Sequence, residues 1–184
     1  MLTNEEIISG CIKKDRRAQK ELFDRFGAKM FGHCLRYSKS NADAQDLLQE
    51  GFIKIFDSIN SLRETHGFEG WMTRIFINLA LSKYRKAKND PILVDIESAN
   101  AATDTEDVSA SMEELSADEV LELMKQLPDK YGIVLNMYAI DKLTHKEIAQ
   151  LLNTTESNSK SILSRARKML KDQIEDNTKK NNFE

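Results

Sequence analysis

Nine side chains within the run 155–168 are of the types that contact duplex nucleic acid: Thr155, Ser157, Asn158, Lys160, Ser161, Ser164, Arg165, Arg167 and Lys168. Hydroxyls and amides hydrogen-bond base edges, and Lys and Arg neutralise phosphates. At helical spacing these residues fall away from Leu163, Ala166 and Leu170, which form an apolar stripe. The first half of the chain holds two more polar faces. Asp43, Asp46, Gln49 and Glu50 recur at i, i+3, i+6 and i+7, an acidic stripe that repels DNA and suits a protein partner or plain solvent. Arg74, Asn78, Ser82 and Arg85 are spaced 4, 4 and 3, one polar and basic face, while Trp71, Ile75 and Leu79 fall on another. Beside it lies the run Arg63, Glu64, Thr65, His66, Gly67, Phe68. A basic helix next to a loop and aromatics suits single-stranded DNA, through phosphate contacts and base stacking. Trp71 itself is expected in the core.

Positioning these groups requires helices, and the chain spells out where they start. Thr3 with Glu6, Ser116 with Glu119 and Thr144 with Glu147 each form a capping box. A helix with Ile7, Ile8 and Ile12 as its apolar face follows Thr3. A second starts at Asp15 with Leu22, Phe23, Phe26, Met30 and Leu35 in its stripe. Ser40 with Asp43 opens a third, through Leu47, Leu48, Phe52, Ile55, Phe56 and Ile59 to a stop at Asn60-Ser61. The run 62–70 reads as a loop, and a fourth helix continues from Trp71 to about Lys88. After the Ser116 box comes a helix with Val120, Leu121, Leu123, Met124 and Leu127 inward, then Pro128 and the apolar run 133–140. The Thr144 helix buries Ile148, Ala149 and Leu152. Asn153 tolerates the left-handed conformation of a tight turn, and Thr155 can cap the next helix, expected to reach about Asp172. Two short helices, a tight turn and a small Ala149 at the crossing are the parts of a helix-turn-helix.

The 184-residue composition narrows the function class. It is 40% hydrophobic and 31% charged, with seven Gly and two Pro, which suits a helical globular protein. The formal charge of −3 hides a partition: residues 1–88 carry +5, residues 89–117 hold eight acids and no base, and residues 118–184 balance. Cys11 and Cys34 form no CxxC pair and are expected in the core. His33, His66 and His145 are too scattered for a metal site. No P-loop, dinucleotide turn or nucleophile elbow occurs, so no cofactor, metal or small-molecule substrate is expected, nor an enzyme. Without a signal peptide or a long apolar run, a cytoplasmic location is expected.

The expected architecture is all-α: two small helical domains, 1–88 and 117–175, joined by a flexible acidic linker over 89–116, with a disordered tail over 176–184. The run "ELFDRFGAKMF…DAQDLLQEGFIKIF…FEGWMTRIFINLALSKYRK" resembles domain 2 of the extracytoplasmic-function (ECF) class of RNA polymerase sigma factors. The run "LPDKYGIVLNMYAIDKLTHKEIAQLLNTTESNSKSILSRARKMLK" is similar to their domain 4. The resemblance implies that Asp43, Asp46, Leu47, Gln49 and Glu50 dock on the clamp helices of the polymerase β′ subunit. It implies that the loop 65–68, with Thr65, His66 and Phe68, captures a flipped base of the melted −10 element. Arg74, Asn78, Ser82, Arg85 and Lys86 would then approach the −10 region, and the run 155–168 would read the −35 element in the major groove. Two departures stand out in domain 4. Many members read Gly-Thr-Val-Lys-Ser-Arg where this chain has residues 157–162, so Ser159 replaces a buried Val and Ile162 a phosphate-contacting Arg. In domain 2, Ser82 replaces an acidic residue.

The partners so implied are core RNA polymerase, through β′ clamp helices and β flap, promoter DNA in duplex and single-stranded form, and an anti-sigma factor, in some cases membrane-anchored. A flexible stretch of 29 residues over 89–117 relaxes to roughly 30 Å and extends to roughly 95–100 Å. Promoter elements one and a half helical turns apart lie roughly 50 Å from one another, within its reach. The linker acids either imitate RNA phosphates in the polymerase channels or merely solvate a tether. Two other readings compete: an autonomous helix-turn-helix regulator, which needs neither the acidic stripe nor the basic Arg74–Arg85 face, and a helical adaptor, which leaves the 155–168 chemistry unused.

Overall fold

The structure is a computed structural model that describes residues 2–62, 67–88 and 116–181. The linker expected over 89–116 lies outside the described residues except for Ser116. The chain divides into two compact units, Met1–Asp90 and Pro91–Glu184. Among the described residues every regular element is helical, and no helix is long and apolar enough to cross a membrane.

The first unit holds α1 (Asn4–Ile12), α2 (Arg16–Tyr37), α3 (Asn41–Ser58), a 3-10 turn (Ile59–Ser61) and α4 (Phe68–Lys88). Helix starts follow the local chemistry. Thr3 and Glu6 close a reciprocal capping box, Asp15 accepts from the Arg17 amide at 2.9 Å, and Ser40 accepts from the Asp43 amide at 3.1 Å. Arg25 on α2 donates to the Leu2 carbonyl, Asn4 Oδ1 and Glu21, which ties α1 down. The core is built from Leu22, Phe26, Met30 and Cys34 of α2, Leu47, Phe52 and Ile55 of α3, and Met72, Phe76 and Ala80 of α4. Phe52 meets Phe76 edge-on at 5.8 Å between centroids. Gly51 permits this close approach: a Cβ there would overlap the Phe76 ring. On α1 the buried positions are Ile7, Ile8 and Cys11, while Ile12, expected on the apolar face, is exposed. Cys11 and Cys34 are free and buried, and burial pushes their thiols up to about 11 and about 12.

Helix α4 begins at Phe68, three residues before the expected Trp71. Gly67 turns the chain with φ of 84°, a conformation costly for any side chain. Phe68 then drops into the core, and burying such a ring is worth about 1.5–3 kcal/mol, enough to extend a helix start. Glu69 in the first turn suits the helix dipole and pairs with Lys29 on α2.

The second unit holds α5 (Ala117–Gln126), α6 (Asp129–Leu135), a π turn (Asn136–Ile140), α7 (His145–Leu152) and α8 (Glu156–Asn181). The Ser116 and Thr144 capping boxes are both closed, and Pro128 stands immediately before α6. Helix α8 packs against α5, α6 and α7 through Ile162, Leu163, Ala166, Leu170 and Ile174. It runs well past Asp172, so residues 176–181 are helical rather than the disordered tail expected over 176–184. Buried Ile174 anchors that last stretch, and no Gly or Pro follows it to stop the helix. Residues 182–184 lie outside the described residues.

Candidate polymerase and nucleic-acid interfaces

On α3 the side chains Asp43, Asp46, Gln49 and Glu50 are exposed along one stripe. Leu47, expected among the docking residues, is instead 2% exposed and part of the core. The reason is helical geometry: Leu47 lies three positions after Ala44 and four before Gly51, both buried, so it turns with them into the core. Asp43 Oδ2 accepts from Ser40 Oγ at 2.7 Å, so this carboxylate also serves the helix start. Glu50 pairs with Lys83 of α4 at 2.8 Å, linking the acidic stripe to the basic helix. The stripe continues into Ile53, which is 61% exposed. The sequence reading leaves Ile53 out of the stripe, although 46, 50 and 53 lie on one face by spacing alone.

On α4 the side chains of Arg74, Asn78, Arg85 and Lys86 are exposed and Ser82 is half-buried. Phe68, expected to receive a flipped base, is 2% exposed. Its ring meets Phe26 edge-on and stacks on Trp71, both at 5.8 Å between centroids. It is a core residue, and half-buried Trp71 packs against the same cluster. Thr65 and His66 lie outside the described residues.

The helix-turn-helix of the second unit is built from short-range hydrogen bonds. Thr144 accepts from the Glu147 amide at 3.3 Å, and Glu147 accepts in return from the Thr144 amide at 2.9 Å. Asn153 is left-handed with φ 54° and ψ 51°, and the Thr154 amide bonds back to the Ala149 carbonyl at 2.9 Å. Thr155 Oγ1 then accepts from the Asn158 amide at 3.1 Å, starting α8. Asn158 Nδ2 donates to Thr154 Oγ1 at 2.9 Å, so the half-buried amide already serves the turn. Thr155, Ser157, Lys160, Arg165 and Lys168 are exposed on α8, with Ser161, Ser164 and Arg167 half-buried beside them. Ile162, expected where a phosphate contact would be, is 5% exposed and belongs to the core. It lies one position from Leu163 and four from Ala166, which widens the apolar stripe by one residue.

Ser159 is fully buried, and its hydroxyl lies 3.0 Å from His145 Nδ1 on α7. The His145 ring stacks on Tyr138 of the π turn at 4.8 Å, and the Arg167 guanidinium lies over the other ring of that stack, 5.5 Å from the Tyr138 centroid. Burial lowers the His145 pKa, Lys160 and Arg167 lower it further, and Glu156 opposes them. Sequence reasoning noted Ser159 but not its partner, because the contact spans fourteen residues. Among the described residues no group of His, Cys, Asp or Glu could hold a metal ion.

Residues 22–89 match the family described as Sigma-70 region 2, and residues 117–170 match Sigma-70, region 4. These fall on α2–α4 and on α5 to most of α8. Among curated proteins, the chain is 30% identical over 176 residues to the ECF RNA polymerase sigma factor SigW of Bacillus subtilis, covering 89% of this chain and 92% of the relative. It is 28% identical over 183 residues to the ECF RNA polymerase sigma-E factor of Haemophilus influenzae, covering 95% and 96%. The solved structure of CnrH in complex with the cytosolic domain of CnrY has a similar fold, with a TM-score of 0.55 at 18% identity, over 92% of this chain and 95% of that one. The α3, α4 and α8 faces thus belong to a protein built from sigma-70 regions 2 and 4. The chain belongs to the ECF class of RNA polymerase sigma factors.

Proposed function

We propose that the chain binds core RNA polymerase through the exposed α3 stripe and directs initiation at promoters with spaced −35 and −10 elements. The observation that carries this is the pairing, within one small unit, of an acidic face (Asp43, Asp46, Gln49, Glu50) with a basic one (Arg74, Asn78, Arg85, Lys86). An autonomous regulator needs only the second unit. The α3 stripe docks on the β′ clamp helices, and the second unit meets the β flap. The α4 face follows the −10 strand as it melts, with Thr65 and His66 in the base-capturing loop. The exposed face of α8 lies in the −35 major groove, where Ser157, Lys160 and Ser161 reach base edges and Arg165, Arg167 and Lys168 reach phosphates. Extracting a base costs a few kcal/mol, offset by pocket contacts and backbone electrostatics. The protein works in the cytoplasm by recognition, with no bond made or broken.

An anti-sigma factor that covers these faces is the second partner. The resemblance to the ECF class supports it, and CnrH was captured with the cytosolic domain of another protein, CnrY.

The test is in vitro transcription with purified core polymerase on fragmented host DNA, with start sites mapped and an Asp46→Arg variant alongside. New starts sharing spaced elements, lost in the variant, are expected. Duplex binding without any new start would hand the function to an autonomous regulator.

A further inference from the structure

Two rings outside the DNA-facing set hold α8 at two levels. Tyr138, in the π turn, and His145, at the first position of α7, stack at 4.8 Å between centroids with 24° between planes. His145 Nδ1 is 3.0 Å from Ser159 Oγ, in the first turns of α8. Tyr138 carries the Arg167 guanidinium over its ring at 5.5 Å. Residues 159 and 167 are eight positions apart, roughly 12 Å of helix axis at about 1.5 Å per residue. A helix held at one point can pivot about it, whereas one held at two separated points has its tilt set.

We propose that Tyr138 and His145 are positioning residues for the −35-reading helix: their stack fixes the tilt of α8 through Ser159 and holds Arg167 ready for a phosphate. This rests on the duplex-reading role proposed for α8. The chemistry at each end differs. A fully buried hydroxyl needs a hydrogen-bond partner, and the imidazole supplies it from the other helix of the motif. A guanidinium lying on an aromatic face keeps its charge while losing rotamer freedom before DNA arrives, so less is lost on binding. The fixed tilt governs which base edges the first turns of α8 meet, so it acts on discrimination between sequences. Total charge, which governs sequence-independent binding, is untouched by either ring.

The test uses the full chain bound to core polymerase and two probes: duplexes that the wild type selects from a random-sequence library, and unselected random duplex of the same length. Tyr138→Leu and Ser159→Ala are each expected to weaken binding of the selected duplexes about threefold to tenfold. Random duplex should change by less than about twofold, because no phosphate-neutralising charge is lost. Tyr138→Phe keeps the ring and should bind as the wild type does. Wild-type affinity for selected duplexes in folded Tyr138→Leu overturns the inference, as does an equal loss on both probes. Should Tyr138→Leu not fold, Ser159→Ala and His145→Gln decide the matter by the same ratio. If the wild type selects no sequence at all, the duplex-reading role itself falls, a result distinct from failure of the variants.

Discussion

Replacing Phe68 by Ala separates a core aromatic from a base-stacking one. The side chain is 2% exposed, edge-on to Phe26 and stacked on Trp71. Truncating a buried Phe to Ala costs about 3–5 kcal/mol through lost transfer energy and the cavity left behind. Small domains are stable by only about 5–15 kcal/mol, so the change removes a large share of the first unit's stability. Trp71 is the one tryptophan of the chain and touches the deleted ring, so its fluorescence reports on this unit alone. In urea, with a slope of about 1.5 kcal/mol/M, a loss of 3 kcal/mol moves the midpoint down by about 2 M. Phe68→Leu, which keeps most of the volume, should lose less than about 1.5 kcal/mol. An unchanged midpoint for Phe68→Ala, together with loss of −10 opening, would refute the assignment of this ring to the core and return it to the base pocket.

Gly51→Ala adds a Cβ that collides with the Phe76 ring. Overpacking of about 1–3 kcal/mol outweighs the roughly 1 kcal/mol gained in helix propensity, so the Trp71 urea midpoint should fall, and a rise would contradict the close packing of α3 on α4. At Asn153, left-handed with φ 54°, substitution by Ala should cost about 1–2 kcal/mol and by Gly only a few tenths, read by thermal melts of the full chain; equal losses for both would mean that backbone conformation is not what holds this position. The lowered His145 pKa makes the second unit pH-sensitive. On acidification the unfolded chain takes up this proton first, near pH 6.5, so the contribution is fully present above 6.5 and is lost as pH falls through the lower folded value. Thermal stability should therefore drop between pH 7.5 and 5.5 more in the wild type than in His145→Gln, and identical slopes would remove His145 as the cause.

The capped helix starts are legible because each is written within four residues. Thr3, Ser40, Ser116 and Thr144 each sit three positions before the group that completes the cap, and Asn153 marks its turn by residue type. The polar faces of α3, α4 and α8 were likewise readable from spacing. What escaped depends on contacts distant in sequence. Phe68 is drawn inward by Phe26, and Ser159 finds its partner at His145. Leu47 adjoins the acidic stripe in sequence, but rotation about the helix axis puts it inside and turns Ile53 out. The continuation of α8 was missed because a polar stretch looks frayed unless the reach of Ile174 into the core is known.

The self-contained packing of α1–α4 also sets an order of events during synthesis. Its helices are capped locally and close on one another within the first 88 residues. Helical domains rich in such local contacts fold in microseconds to milliseconds. Ribosomes add about 5–20 residues per second, so the stretch from Lys88 to Lys168 takes roughly 4–16 s to make. The α3 and α4 faces can thus be finished while the helix-turn-helix is still untranslated. A nascent chain completes the polar faces of its first unit seconds before that of its second.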